Sequence, residues 1–170
     1  MCIRDRPWLK KQLPRGREQW LRLMSLLTVV VLRSYGGVIM SFPWRAGAWA
    51  WIAALCVVGG KCIGGFASDR FGEVRSATVT LSAAAAALIF SAFPLPGALG
   101  LLLFNMSMPV TLYAARDILR EGRATAFGLL TLGLFLGMLP AFSGASGSGQ
   151  DYAMICLISI MLIRVGVGKR

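Results

Sequence analysis

The chain has 170 residues, of which 56% are hydrophobic and 15% charged, with no histidine and a formal net charge of +11. A mean hydropathy of +0.68 and only seven carboxylates exclude a water-soluble domain, whose surface needs far more polar cover. The surplus of positive charge comes with no DNA- or RNA-reading element, so no nucleic-acid partner is expected.

Residues 1–6 (MCIRDR) match the translation of a transposon-end sequencing adapter and are set aside as a processing artefact. The chain is therefore expected to be a fragment of a longer protein. Residues 7–19 are basic, interrupted by Pro7 and Pro14, and read as the end of a cytoplasmic loop. Six apolar stretches follow, at about 20–40, 46–66, 76–93, 98–115, 126–142 and 152–167, with a short tail at 168–170. Each is near the length that crosses roughly 30 Å of hydrocarbon at about 1.5 Å per residue. Pro43 and Trp44 mark the first turn, where an aromatic interface belt belongs. Pro94, Pro96 and Gly97 mark the third turn, and 143–150 (SGASGSGQ) form an uncharged loop closed by Asp151. The expected fold is an all-α polytopic transmembrane bundle of six spans.

Charge gives the orientation. Eleven basic residues lie in 7–19, 67–75, 116–125 and the C-terminal end, against Arg45 alone in the intervening loops. By the positive-inside rule the first set faces the cytoplasm, so both ends of the chain are cytoplasmic and the protein sits in the cell membrane. Arg22, Lys61 and Arg164 fall inside spans near that same side, within snorkelling reach. Cys2, Cys56, Cys62 and Cys156 have no metal-binding or redox spacing and read as small hydrophobes.

Between the second and third stretches runs Gly64–Arg75 (GGFASDRFGEVR). Its glycines admit a neighbouring helix, Gly72 permits a sharp turn, and Asp69 suits the free N–H groups of a helix start. An ordinary charged loop explains Arg70 and Arg75 but not the grouping Gly65-x-x-x-Asp69-Arg70-x-Gly72. That grouping, with Arg75, resembles the loop motif between the second and third helices of each half of the major facilitator superfamily. Glu73 departs from it, standing where the family usually carries a basic residue. The resemblance implies a C-terminal six-helix half of a 12-helix transporter, a loop that acts as a conformational latch, and an N-terminal half as partner. Phe104–Pro109 (FNMSMP) and the glycine-rich fifth stretch are similar to efflux and antibiotic-resistance permeases.

Arg33 lies about 20 Å along a helix that begins at Trp20, at about 1.5 Å per residue. An arginine at that depth faces either a polar cavity or, by snorkelling, the outer headgroups. Its planar fork suits carboxylate, phosphate or phosphonate groups. Asn105 and Pro109 sit mid-span: the proline frees a backbone carbonyl and is expected to kink the helix, and Asn105 is a second cavity candidate, able to bind substrate or to satisfy such a carbonyl, with helix packing as the alternative. Tyr35 is a weaker third, two residues from Arg33 and not bound to share its face. Gly133 and Gly137 form a small-xxx-small pair suited to helix packing or gating.

No carboxylate or histidine lies within a span, so a coupling proton or ion has no obvious carrier here. There is no phosphate-binding loop, hydrolytic triad or metal-ligand cluster, hence no enzyme activity and no cofactor are expected. The expected function is that of part of a secondary transporter moving a small solute, drug-like or anionic, across a lipid bilayer by alternating access. The alternative is a small non-transporting integral membrane protein or a subunit of a membrane complex.

Overall fold

A computed structural model describes residues 16–119, 123–144 and 147–167. The expectations for the 1–6 segment, most of the 7–19 loop, Cys2 and the 168–170 tail lie outside these residues. Among the described residues every regular element is helical: α1 (Arg17–Ile39), α2 (Ala48–Phe71), α3 (Glu73–Ile89), α4 (Pro94–Asn105), α5 (Met108–Ile118), α6 (Arg123–Met138), a 3-10 turn (Leu139–Ser143) and α7 (Gly149–Val167). With α4 and α5 taken together as one interrupted rod, this is a six-helix, largely apolar bundle.

Four rods are long and apolar enough to cross a bilayer: α1, α2, Pro94–Ile118 and α7. The six expected spans are thus too generous by that measure. α3 has 17 residues and α6 has 16, roughly 25 Å at about 1.5 Å per residue. α3 stops short because its first turns carry Glu73, Arg75, Ser76 and Thr78, and Phe90 to Phe93 then lead into Pro94. α6 gives way to the 3-10 turn around Pro140, which has no N–H for the helical ladder.

The loop expected at 67–75 is not a loop. α2 continues through Phe71, and α3 begins at Glu73. Gly72 alone separates them, at φ 86 and ψ 148, where a Cβ would be strained. Nothing before Gly72 breaks a helix, so the polar run simply extends α2 beyond its apolar part.

The core lies where α1, α3, α4 and α7 meet, around Val29, Leu81, Ala84, Leu88, Phe104, Ile155, Cys156 and Ile163. α3 packs most extensively on α7, with α1 against α6 and α7, and α2 against α4. The small residues Ala77, Ala84 and Ala85 on the buried side of α3 permit that contact. A second cluster joins Leu26 and Val30 of α1 to Ala114 and Ala115 of α5 and Leu130 of α6. Large apolar side chains cover the outside, among them Trp51, Leu55, Phe66, Phe127, Phe135 and Met161. In water such a surface would aggregate; in lipid it is solvated.

The connections sort into two ends. At one, Trp44 Nε1 donates to Ser91 O at 2.9 Å, and Phe42 stacks on Trp44 with centroids 5.0 Å apart. Tyr152 Oη lies 2.9 Å from Ile39 O and 2.8 Å from Gly147 O, either of which can accept its proton. Gly147 N also donates to Ile39 O at 3.2 Å. The turns around 40–47, 89–94 and 147–149 therefore share one end. A cavity lined by residues of the α2–α3 turn, α5 and Val167 marks the other. The C-terminal turn of α7 also returns to the start of α1, since a Cβ on Gly166 would meet Leu26 Cδ2 at 2.8 Å and Arg22 O at 3.4 Å. Among the described residues the α2–α3 turn thus lies at the end opposite the turns around 40–47, 89–94 and 147–149.

Candidate functional site

The centre of the bundle holds a polar node. In α1 the buried residues are Leu23, Leu26, Val29, Val30, Arg33, Gly36 and Ile39, the three-to-four spacing of one helical face. Arg33 stands on that face and is only 7% exposed. It points into the protein rather than along the lipid boundary, and does not snorkel.

The residues it meets lie at the break between α4 and α5. Pro109 has no N–H, so the carbonyl four residues back, Asn105 O, loses its helical donor. Met106 and Ser107 keep right-handed helical angles (φ −64, ψ −20 and φ −76, ψ −11), so the rod is interrupted rather than reversed. The expected span 98–115 lies within one rod, Pro94–Ile118, which is interrupted between Asn105 and Met108, where the kink at Pro109 was expected. Ser107 Oγ donates to Phe104 O at 2.9 Å, filling one acceptor left by the break. Asn105 Nδ2 donates to Leu101 O at 2.8 Å.

Arg33 completes the set. Nη1 donates to Ser107 Oγ at 3.1 Å, and Nη2 to Asn105 Oδ1 at 3.0 Å. Nη2 also reaches Asn105 O, the carbonyl released by Pro109, at 3.4 Å. The guanidinium carbon lies 5.5 Å from the centroid of the Phe104 ring, a cation–π distance. Each of these partners is neutral. An arginine at mid-helix costs about 2.5–3.5 kcal/mol on insertion scales. Hydrogen bonds to a charged group, at roughly 1.5–3 kcal/mol each, are together enough to offset that cost.

Of the three cavity candidates, Arg33 and Asn105 are brought together. Tyr35 is not hydrogen-bonded to either among the described residues; it is half-buried at the margin of the main core. Ser107 and Phe104 were missed as site residues. The available signal for Ser107 was its place between Asn105 and Pro109, where the helical ladder is interrupted and a hydroxyl can serve a carbonyl of the preceding turn.

Close helix approach fixes the node from the other side. A Cβ on Gly60 would overlap Leu102 O, and one on Gly64 would overlap Met106 O. α2 thus lies against the break itself. On α6, a Cβ on Gly137 would collide with Val31 O, whereas one on Gly133 would make ordinary contact with Leu27 at 3.4 Å. Ser34 Oγ donates to Leu134 O at 2.6 Å beside them.

A second feature is a cavity of about 830 Å³ at the basic end, whose lining includes Gly65, Ser68, Asp69, Arg75, Tyr113 and Arg116. Gly72, Glu73 and Pro109 also line it. Four of the five motif residues thus converge here, while Arg70 is exposed outside it. Asp69 stands in the last turn of α2, exposed, and no hydrogen bond reaches its carboxylate among the described residues. Asp69 caps no helix start among the described residues. Gly65 lies behind Pro109, whose Cβ is 4.0 Å from a Cβ built there.

Among the described residues no group of three or more His, Cys, Asp or Glu could hold a metal. Cys156 is buried in the core, Cys56 is half-buried, and Cys62 is exposed on α2; only the first behaves as the buried hydrophobe expected of all. Neither family models, nor characterised proteins, nor solved structures give a match to this chain. The chain is a helical bundle with the length, apolarity and surface of a multi-pass membrane protein.

Proposed function

We propose that this chain is part of a facilitator-type secondary transporter, with the Arg33–Asn105–Ser107 node on the path of a small solute. The observation that carries the reading is an interrupted helix meeting a buried arginine at the centre of an otherwise apolar bundle. Ionisable groups at that depth are costly and mark solute or ion pathways. Broken helices at mid-membrane expose backbone carbonyls and amides to a substrate, as in alternating-access carriers. The Gly65–Arg75 motif and the separation of charge between the two ends support the same family and a cytoplasmic basic end. The substrate is a small solute, drug-like or anionic; the N-terminal half supplies the opposite wall and any proton- or ion-coupling group.

A second reading has one observation in its favour. Arg33 is satisfied by the chain's own neutral groups, as in a self-contained non-transporting membrane protein or a subunit of a membrane complex. Uptake into proteoliposomes holding both halves separates the two. With Arg33→Ala or Asn105→Ala, solute flux should fall roughly tenfold or more, the scale of one charge-assisted hydrogen bond. Wild-type flux in both variants rejects the cavity assignment, and absence of flux for any anionic or drug-like solute favours the second reading.

A further inference from the structure

We propose that Arg33 is a displaceable clamp on the α4–α5 break, opened by a small oxyanion that takes over its guanidinium. The inference deepens the transport reading by naming a ligand class and a conformational consequence at the same node.

The first ground is an exchange of acceptors. Arg33 is held by a hydroxyl (Ser107 Oγ, 3.1 Å), an amide oxygen (Asn105 Oδ1, 3.0 Å) and a longer contact to a backbone carbonyl (Asn105 O, 3.4 Å). A carboxylate, phosphate or phosphonate offers two charged oxygens at the spacing of the guanidinium fork, and such a bidentate pair adds energy and geometric fit that separate neutral acceptors do not supply. In a low-dielectric setting the unneutralised cation gains most from an anionic partner. A neutral solute has no such advantage over the protein oxygens already in place.

The second ground is what the exchange leaves behind. Asn105 O has no amide donor because residue 109 is proline, and Arg33 is the donor given to it. Once the guanidinium turns to an anion, that carbonyl and Ser107 Oγ lose it together. The break then keeps the Asn105 Nδ2 bond to Leu101 O and the Ser107 Oγ bond to Phe104 O, with the backbone bonds from Met106 N to Leu102 O and from Thr111 N to Ser107 O. All of these are local to the rod and tie nothing to α1. α5 is then freed to change its angle to α4: Gly60 and Gly64 of α2 hold α4 and the break, while α5 faces Gly65, where a Cβ would lie 4.0 Å from Pro109 Cβ. Pro109, one helical turn from Asn105, already lines the cavity at the basic end. Arg75 and Arg116 share that lining with Asp69 and Glu73, so the cavity leads toward the node without being of one sign.

The test is amide hydrogen exchange, by mass spectrometry, of peptides covering 102–111 in the chain held in lipid nanodiscs. Sodium acetate and sodium methylphosphonate are compared with sodium chloride at equal ionic strength. Either oxyanion should speed exchange in this segment roughly tenfold, as loss of a charge-assisted hydrogen bond implies. Arg33→Gln should exchange fast without anion and ignore its addition. Pro109→Ala restores the missing amide, so it should exchange slowly and stay unresponsive. Unchanged or slower exchange in the wild type with both anions overturns the clamp. So does an anion response that persists in Pro109→Ala, which also decides the matter should Arg33→Gln fail to fold. Anion-sensitive exchange without solute flux in proteoliposomes rejects the transport reading alone, whereas flux dependent on Arg33 without an exchange response rejects the clamp alone.

Discussion

Arg33 shows how a single side chain can be both expensive and structurally necessary. Its burial is tolerated because a proline elsewhere left a carbonyl in need of a donor, and removing either party exposes the debt of the other. Ser107→Ala removes an acceptor of Arg33 and the Oγ bond to Phe104 O, and Asn105→Ala removes an acceptor of Arg33 and the Nδ2 bond to Leu101 O. Each loses one bond to a charged group and one neutral bond, so each should lower stability by roughly 2–4 kcal/mol. Both are measured as unfolding free energies by steric trapping in mild detergent; a cost below about 1 kcal/mol for either variant would mean that its side chain does not hold Arg33. Depth along the helix marked Arg33 as a residue of interest, but its face was not legible, because the turns before it, Leu26–Leu32, are leucine and valine apart from Thr28 and give periodicity little to contrast with. Its partner Asn105 was chosen separately, on the proline, and only packing joined the two.

At the scale of elements, the helices were legible, and proline chemistry marked the interruption near Pro109 that apolar length alone passes over. The pair α4–α5 is continuous to a hydropathy window and broken at Met106–Ser107. The error arose at 67–75, where polar residues suggested a loop although only Gly72 leaves the helix. Gly72→Ala should therefore destabilise the α2–α3 junction by roughly 1–2 kcal/mol, the cost of a Cβ at positive φ. Gly64→Ala should cost roughly 1–3 kcal/mol, the usual range for overpacking, because the atom it meets is the backbone oxygen of Met106. Gly59→Ala, with open space around it, serves as the control and should leave thermal unfolding in detergent unchanged. If Gly64→Ala matches Gly59→Ala, the close approach of α2 to the break is not real.

For the whole molecule, packing of the described residues defines two ends, and the charge pattern predicts which side of the membrane each one faces. Single cysteines introduced in a cysteine-free background at Arg45 and Ser148 should react with an impermeant maleimide from one side of the membrane. Cysteines at Arg75 and Arg116 should react only from the other; labelling of all four from one side would dismantle the arrangement. Those two ends differ in more than charge. The Trp44–Ser91 bond, the stacked Phe42 and the Tyr152 hydroxyl stitch together three connections at the nearly neutral end, while the basic end encloses a void floored by Gly65 and Pro109. Thermal motion in such a body is lopsided: it pivots about the sewn rim and gapes at the hollow one. Whatever force rearranges these helices, the larger excursion belongs to the arginine-rimmed mouth.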